Sequence, residues 1–184
     1  MSLIAAPKIL LTGNPGSGKT TAIRAIVEAL QGRIPTTGFF TEDLREQGRR
    51  VGFRGVTLDG RDFLLAHIRN SGSARLGPYG VDLTGLETTG LEALVARPGH
   101  LVVVDEIGKM ECLSEAFKTR MAELLEGDGP LLATVAAVGV GFVKRARNHP
   151  RAKLYTIAHG EGRRMAAEIT RTLLRELGDG GTRS

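Results

Sequence analysis

The chain has 184 residues, 41% of them hydrophobic and 24% charged, and a net charge of +5 from 25 basic and 20 acidic side chains. That length suits one domain with a real apolar core, and the balance excludes a disordered or fibrous chain. The lone Cys112 excludes an internal disulfide, and the longest apolar run, Pro130 to Val143, is shorter than the roughly 20 residues a membrane span needs.

No charged-then-apolar leader opens the chain, so the expectation is a cytoplasmic protein. The arginine-rich excess suits attraction to phosphates, in nucleotides or nucleic acid, but suits a solvated surface equally well. With no tryptophan and 4% aromatic residues, a stacking platform for single-stranded nucleic acid is not expected.

Lys8 to Thr12, KILLT, reads as a short buried strand, and a glycine-rich loop follows it at once. In the next segment Ile23, Ile26, Val27 and Leu30 recur on one helical face until Gly32 ends it. From Gly38 to Ile68 polar residues alternate with aromatic and β-branched ones, and Gln47-Gly48 and Asp59-Gly60 offer turns, which predicts an antiparallel insertion over about 38–68. Val51 and Phe53 share a face whereas Val56 and Leu58 have the other parity, so Gly55 marks a bulge. Leu86 to Ala96 is predicted helical, stopped by Pro98-Gly99, and His100 to Asp105, HLVVVD, is the strongest buried-strand signal. Ser114 caps a helix bearing Phe117, Met121, Leu124 and Leu125. Leu131 to Val135 and Leu154 to Ile157 are further strands, and a last helix over about Gly162 to Leu177 buries Met165, Ile169 and Leu173. Alternating strands and helices give an α/β domain over residues 1–178, its largely parallel sheet flanked by helices, with a frayed tail at 179–184.

Gly13-x-x-x-x-Gly18-Lys19-Thr20 is the P-loop pattern, here between a strand and a helix as its physics requires. Successive backbone N–H groups form an anion site, to which the helix starting near Lys19 adds its positive end. Gly13, Gly16 and Gly18 let the backbone approach phosphate, Lys19 reaches the β- and γ-phosphates, and the Thr20 hydroxyl is a ligand for Mg²⁺. A second metal carboxylate is expected at the end of a buried strand, where LVVVD supplies Asp105. Glu106, directly after it, is the candidate general base for the attacking water. Asp105-Glu106-Ile107-Gly108 also fits the D-x-x-G of GTPase switch loops, but the chain contains no N-K-x-D guanine motif, which makes that reading the weaker one.

TGNPGSGKTT, GFFTEDLR, RRVGFRG, GPYGV and VVVDEIGKMECLSEAF resemble, in that order, the small nucleoside-triphosphatase family of P-loop proteins, known from thermophiles and vertebrates. The resemblance runs from Lys8 to about Thr134. It implies a RecA-like sheet with a β-hairpin extension, and Mg²⁺-dependent hydrolysis of NTPs to NDP and phosphate with broad base tolerance. Carried over by position, Gly13, Asn14, Pro15, Gly16, Ser17, Gly18, Lys19, Thr20 and Thr21 form the phosphate loop. The second nucleotide-contacting segment is Val102, Val103, Val104 and Asp105. The chain departs from the family pattern where Ala136-Ala137, not a proline, follows Thr134-Val135, and where Glu161-Gly162-Arg163-Arg164 replaces an Asn-Arg pair. Which of Arg163 and Arg164, if either, contacts nucleotide stays open.

Further candidates are Thr134 as a γ-phosphate sensor, Lys109 and Glu111 as a pair closing over substrate or as a solvated loop, and Arg45, Arg49, Arg50 or Arg54 as an arginine finger. His67, His100, His149 and His159 lack metal-ligand spacing. Two alternatives to the triphosphatase stand: a P-loop kinase with an acceptor held near the arginine-bearing hairpin, and an NTP-gated binding module.

Overall fold

The computed structural model describes residues 6–178, so the predicted tail at 179–184 lies outside them. Among these residues nine strands form one sheet. Its parallel half is built from β1 (Lys8–Thr12), β2 (Thr36–Glu46), β7 (Leu101–Ile107), β8 (Leu131–Val135) and β9 (Lys153–Thr156), in the order β2-β7-β8-β1-β9. β1 and β8 are buried at every position, as continuous apolar runs in a parallel sheet covered on both faces should be.

Strand alternation divides these side chains between two cores. Leu10, Val102, Val104 and Ala133 point into one, which is closed by α4 (Glu115–Glu126), α5 (Gly141–Arg147) and the helical stretch before β7. Ile9, Leu11, Val103 and Leu132 point into the other, closed by α1 (Lys19–Leu30) and α6 (Gly162–Gly178). Ile23, Ile26 and Leu30 of α1 and Ile169 and Leu173 of α6 are buried there, so the helical face predicted from α1's sequence is the packed one. No helix of the described residues is long and apolar enough to cross a membrane.

The antiparallel segment is a continuation of the core. Thr36–Phe40 of β2 pairs in parallel with Leu101–Asp105, and the same strand then runs on to pair antiparallel with β3 (Arg49–Thr57). Gln47 and Gly48, at φ 48° and 79°, make the two-residue turn between them. β4 (Asp62–His67) falls within the predicted limit, whereas β5 (Arg75–Leu76) and β6 (Tyr79–Val81) extend the sheet past it, in the order β5-β6-β4-β3. The bulge expected at Gly55 is not there: Gly55 pairs in register with Thr41 and Phe63. The extra residue of β3 is Val51, opposite the Leu44–Arg45 step of β2, while β4 bulges at Leu65. Gly55 is glycine for another reason: a Cβ there would stand 2.1 Å from the Phe63 ring, which meets Phe39 edge-to-face at 5.4 Å.

The helix expected over Leu86 to Ala96 starts and stops earlier. Two short α-turns, α2 (Leu83–Gly85) and α3 (Leu91–Ala93), flank a π-helical turn at Leu86–Gly90, and Asp82 accepts a hydrogen bond from the Gly85 N–H at 3.2 Å. Aspartate directly after a strand was the missed start signal. Ser114 caps α4 as predicted, accepting from Phe117 N–H at 3.0 Å.

Candidate active site

The carboxyl ends of β1, β7 and β8 come together, and each delivers one part of the site. After Thr12 the chain enters the glycine-rich loop. Gly16 and Gly18 take left-handed φ of 77° and 97°, and a Cβ on Gly13 would lie 2.5 Å from both Ile157 O and Ser17 Oγ. Gly18 is the N-cap of α1 and no side chain caps that helix, which leaves its first amides to an anion. Asn14, Pro15, Gly16, Thr20 and Thr21 are exposed along the loop and first turn, whereas Ser17 is buried. Lys19 Nζ donates to Gly13 O at 3.0 Å and stands 3.6 Å from Glu106 Oε1.

Asp105 ends the ladder between β2 and β7 and is 3% exposed. Its backbone carbonyl accepts from Thr41 Oγ1 at 2.6 Å, and its Oδ1 accepts from Thr134 Oγ1 at 2.5 Å. Burial pushes the Asp105 carboxyl upward, against the pull of Thr134, Thr20, Arg24 and Lys19. Its Oδ2 is buried and has no hydrogen-bond partner among the described residues. A buried carboxylate oxygen without a donor is costly unless a cation meets it. With the Thr20 hydroxyl beside it, that oxygen fits a hard divalent cation such as Mg²⁺, which takes one or two protein oxygens and fills its shell with water and phosphate. No cluster of three or more His, Cys, Asp or Glu among the described residues competes for this role.

Glu106 is half-buried, and burial raises its pKa, opposed by Lys19 and reinforced by Asp105. It opens onto a cleft of about 390 Å³ that also reaches Lys19, Thr20 and Asp105. The far wall of the cleft is apolar, made by Phe53, Leu65, Leu76 and Met110.

Other sequence candidates take different places. Val102, Val103 and Val104 are core residues of β7, at most 1% exposed; their side chains fix the height of Asp105 and do not line the cleft. Thr134 is fully buried and its hydroxyl donates to Asp105 Oδ1, which holds that carboxylate in place. The hairpin arginines are tethered: Arg54 to Glu42 at 2.9 Å, Arg45 to Asp43 at 2.7 Å and Arg50 to Asp43 at 3.5 Å. Arg163 and Arg164 are exposed, Arg164 pairing with Glu161 at 2.7 Å, and the adjoining Gly162 packs against the Gly18 carbonyl. Lys109 is exposed, but Glu111 is 4% exposed, which overturns the solvated-pair expectation. Burial likewise pushes the Cys112 thiol up to about 12, which makes it a poor nucleophile.

Arg24, Thr41 and Glu42 were missed. Arg24 lies one helical turn after Thr20, stacks over Phe40 at 4.5 Å and meets Glu42 at 2.8 Å. Its spacing from Thr20 was the available signal.

A protein-family model described as NTPase matches residues 8–170. The chain belongs to the NTPase family. Nucleoside-triphosphatase THEP1 of Thermotoga petrophila is 41% identical over 143 residues, covering 77% of this chain and 78% of the relative. The crystal structure of THEP1 from the hyperthermophile Aquifex aeolicus superposes with a TM-score of 0.81 at 30% identity, over 90% of this chain and 98% of that one. The solution structure of a human cancer-related nucleoside triphosphatase gives 0.79 at 31% identity, over 97% and 100%. The NTPase family match spans β1 through most of α6, and so takes in the P-loop, both carboxylates and the antiparallel extension.

Proposed function

We propose that the chain hydrolyses nucleoside 5′-triphosphates to the diphosphate and inorganic phosphate. The observation that carries this is the Lys19–Glu106 pair, 3.6 Å apart at the head of the P-loop and open to the cleft. The α1 amides and Lys19 bind and orient the β- and γ-phosphates, and they neutralise charge on the transferring phosphoryl group. Glu106 takes the proton of a water whose oxygen attacks the γ-phosphorus as the bond to the bridging oxygen breaks; its raised pKa makes it the stronger base. Thr20 and Asp105 would hold Mg²⁺, which supplies charge neutralisation on the phosphate oxygens when bound. The groups at the loop contact phosphates and not the base, which supports turnover of ATP, GTP and other NTPs alike.

A second reading, transfer of the phosphoryl group to a small organic hydroxyl, is favoured by the apolar wall of Phe53, Leu65 and Leu76, which a water does not need. The amounts of NDP and phosphate separate the two. Hydrolysis yields them in equal amounts, whereas transfer to an added alcohol or nucleoside yields more NDP than phosphate. Chelating the divalent cation, or changing Thr20→Ala, should abolish turnover; unchanged rates in both would contradict the proposed metal role.

A further inference from the structure

Asp105 and Glu106 are fixed by different means. Thr41 and Thr134 grip Asp105 at its carbonyl and its carboxyl. Glu106 sits where the β7–β8 register shifts, between Val104 and Ile107, and its only close polar partner among the described residues is the Lys19 ammonium. A lysine that must also serve phosphate does not hold a base in one place. The turn at Gly108 does.

Gly108 is held at both ends. Its N–H donates to Glu111 Oε2 at 3.2 Å, and its carbonyl accepts from Cys112 N–H at 3.1 Å. Glu111 heads a 3₁₀ turn (Glu111–Leu113) and is buried, and no cation pairs with its carboxyl among the described residues. The groups that face it are other carboxyls, Glu106 and Asp105 of β7. A carboxyl in such a place is expensive as a mere filler, since a hydrocarbon would occupy the space at no electrostatic cost. Gly108 also brings the two glutamates together: a Cβ on it would lie 2.8 Å from Glu111 Oε2 and 3.2 Å from Glu106 Oε2.

We propose that Glu111 is a positioning residue for the reaction, whose buried carboxyl clamps the Gly108 amide and so holds the Glu106 carboxylate over the cleft. This rests on the reading of Glu106 as the base. Glu111 borders the cleft but is 4% exposed, and it acts through the turn that carries Glu106; an amide side chain of the same shape can do the same work.

The test is a set of steady-state measurements with ATP and Mg²⁺ on Glu111→Met, Glu111→Gln, Glu106→Gln and the double variant Glu106→Gln/Glu111→Met. Expected is a fall in kcat of at least tenfold for Glu111→Met with KM within twofold. Glu111→Gln, which keeps an acceptor for the Gly108 amide, should stay within about threefold of wild type. In the Glu106→Gln background the Met change should lower kcat by less than twofold, because the group it positions is gone. An equal fall in both backgrounds, or none in either, overturns the proposal. Should Glu111→Met not fold, a kcat for Glu111→Gln as low as that of Glu106→Gln overturns it instead. A Glu106→Gln variant as fast as wild type would be a separate failure, that of the base assignment itself.

Discussion

Lys19 and Glu106, which the fold brings within 3.6 Å, could be picked out as candidates in the sequence because their spacing is fixed: a lysine closing a glycine loop, and a glutamate one residue past a buried-strand aspartate. Thr134 and Glu111 were visible as residues but not as roles. The direction of the Thr134 hydroxyl depends on how β8 registers with β7, and the burial of Glu111 depends on a turn folding back over β7. Neither leaves a local pattern. Thr134→Val keeps the shape and deletes the donor to Asp105 Oδ1. Loss of a buried hydrogen bond to a charged group should cost about 1–3 kcal/mol in urea unfolding, and removing a partner that orients a ligating carboxylate should weaken Mg²⁺ binding by roughly 10–100-fold. Unaltered metal affinity would remove Asp105 from the metal shell. Glu111 makes a separate prediction about pH. Burial raises its pKa from 4.5 to about 8, so the folded chain keeps a proton that the unfolded chain releases. Its contribution to stability is therefore fullest below about pH 4.5, falls as pH rises towards 8, and is constant above. Glu111→Gln should melt higher than wild type at pH 8, with the gap closing towards pH 4; a gap independent of pH would contradict this.

Among the elements, those with long continuous or periodic apolar patterns were found where expected: β1, β7, β8, α1, α4 and α6. β5 and β6, with two and three residues, are too short to carry a pattern. α5 was hidden because its first turn, Gly141 to Val143, closes the apolar run that begins in β8. The π-helical turn before β7 has no local signal in the sequence; its Gly90 lies against Phe63, whose ring would stand 3.0 Å from a Cβ placed there. The Ser114 cap offers a clean check at this scale. Its hydroxyl accepts from Phe117 N–H and donates to Glu87 at 2.6 Å, which ties the start of α4 to that turn. Ser114→Ala should lose about 1 kcal/mol and lower Tm by roughly 2–4 °C. No change in Tm would mean that neither bond matters.

At the scale of the molecule, function gathers where the parallel strands end, the usual place for a ligand in an open α/β sheet. The antiparallel extension adds Phe53 and Leu65 to the lining of the cleft, so the candidate site joins two parts of one sheet. NTP with Mg²⁺ at a hundred times its Kd should stabilise the fold by about 2.7 kcal/mol, a rise in Tm of roughly 5–10 °C. Lys19→Ala should lose most of that rise, and Glu106→Ala should keep it. The most direct measurement of the central claim is phosphate release from ATP, GTP, CTP and UTP with Mg²⁺ and no added acceptor, by wild type and Glu106→Ala. The expected result is release from several of the four by wild type and a loss of roughly 10²–10⁴-fold in the variant. Equal rates in the two proteins, or an inert wild type that still binds nucleotide, would contradict hydrolysis driven by Glu106.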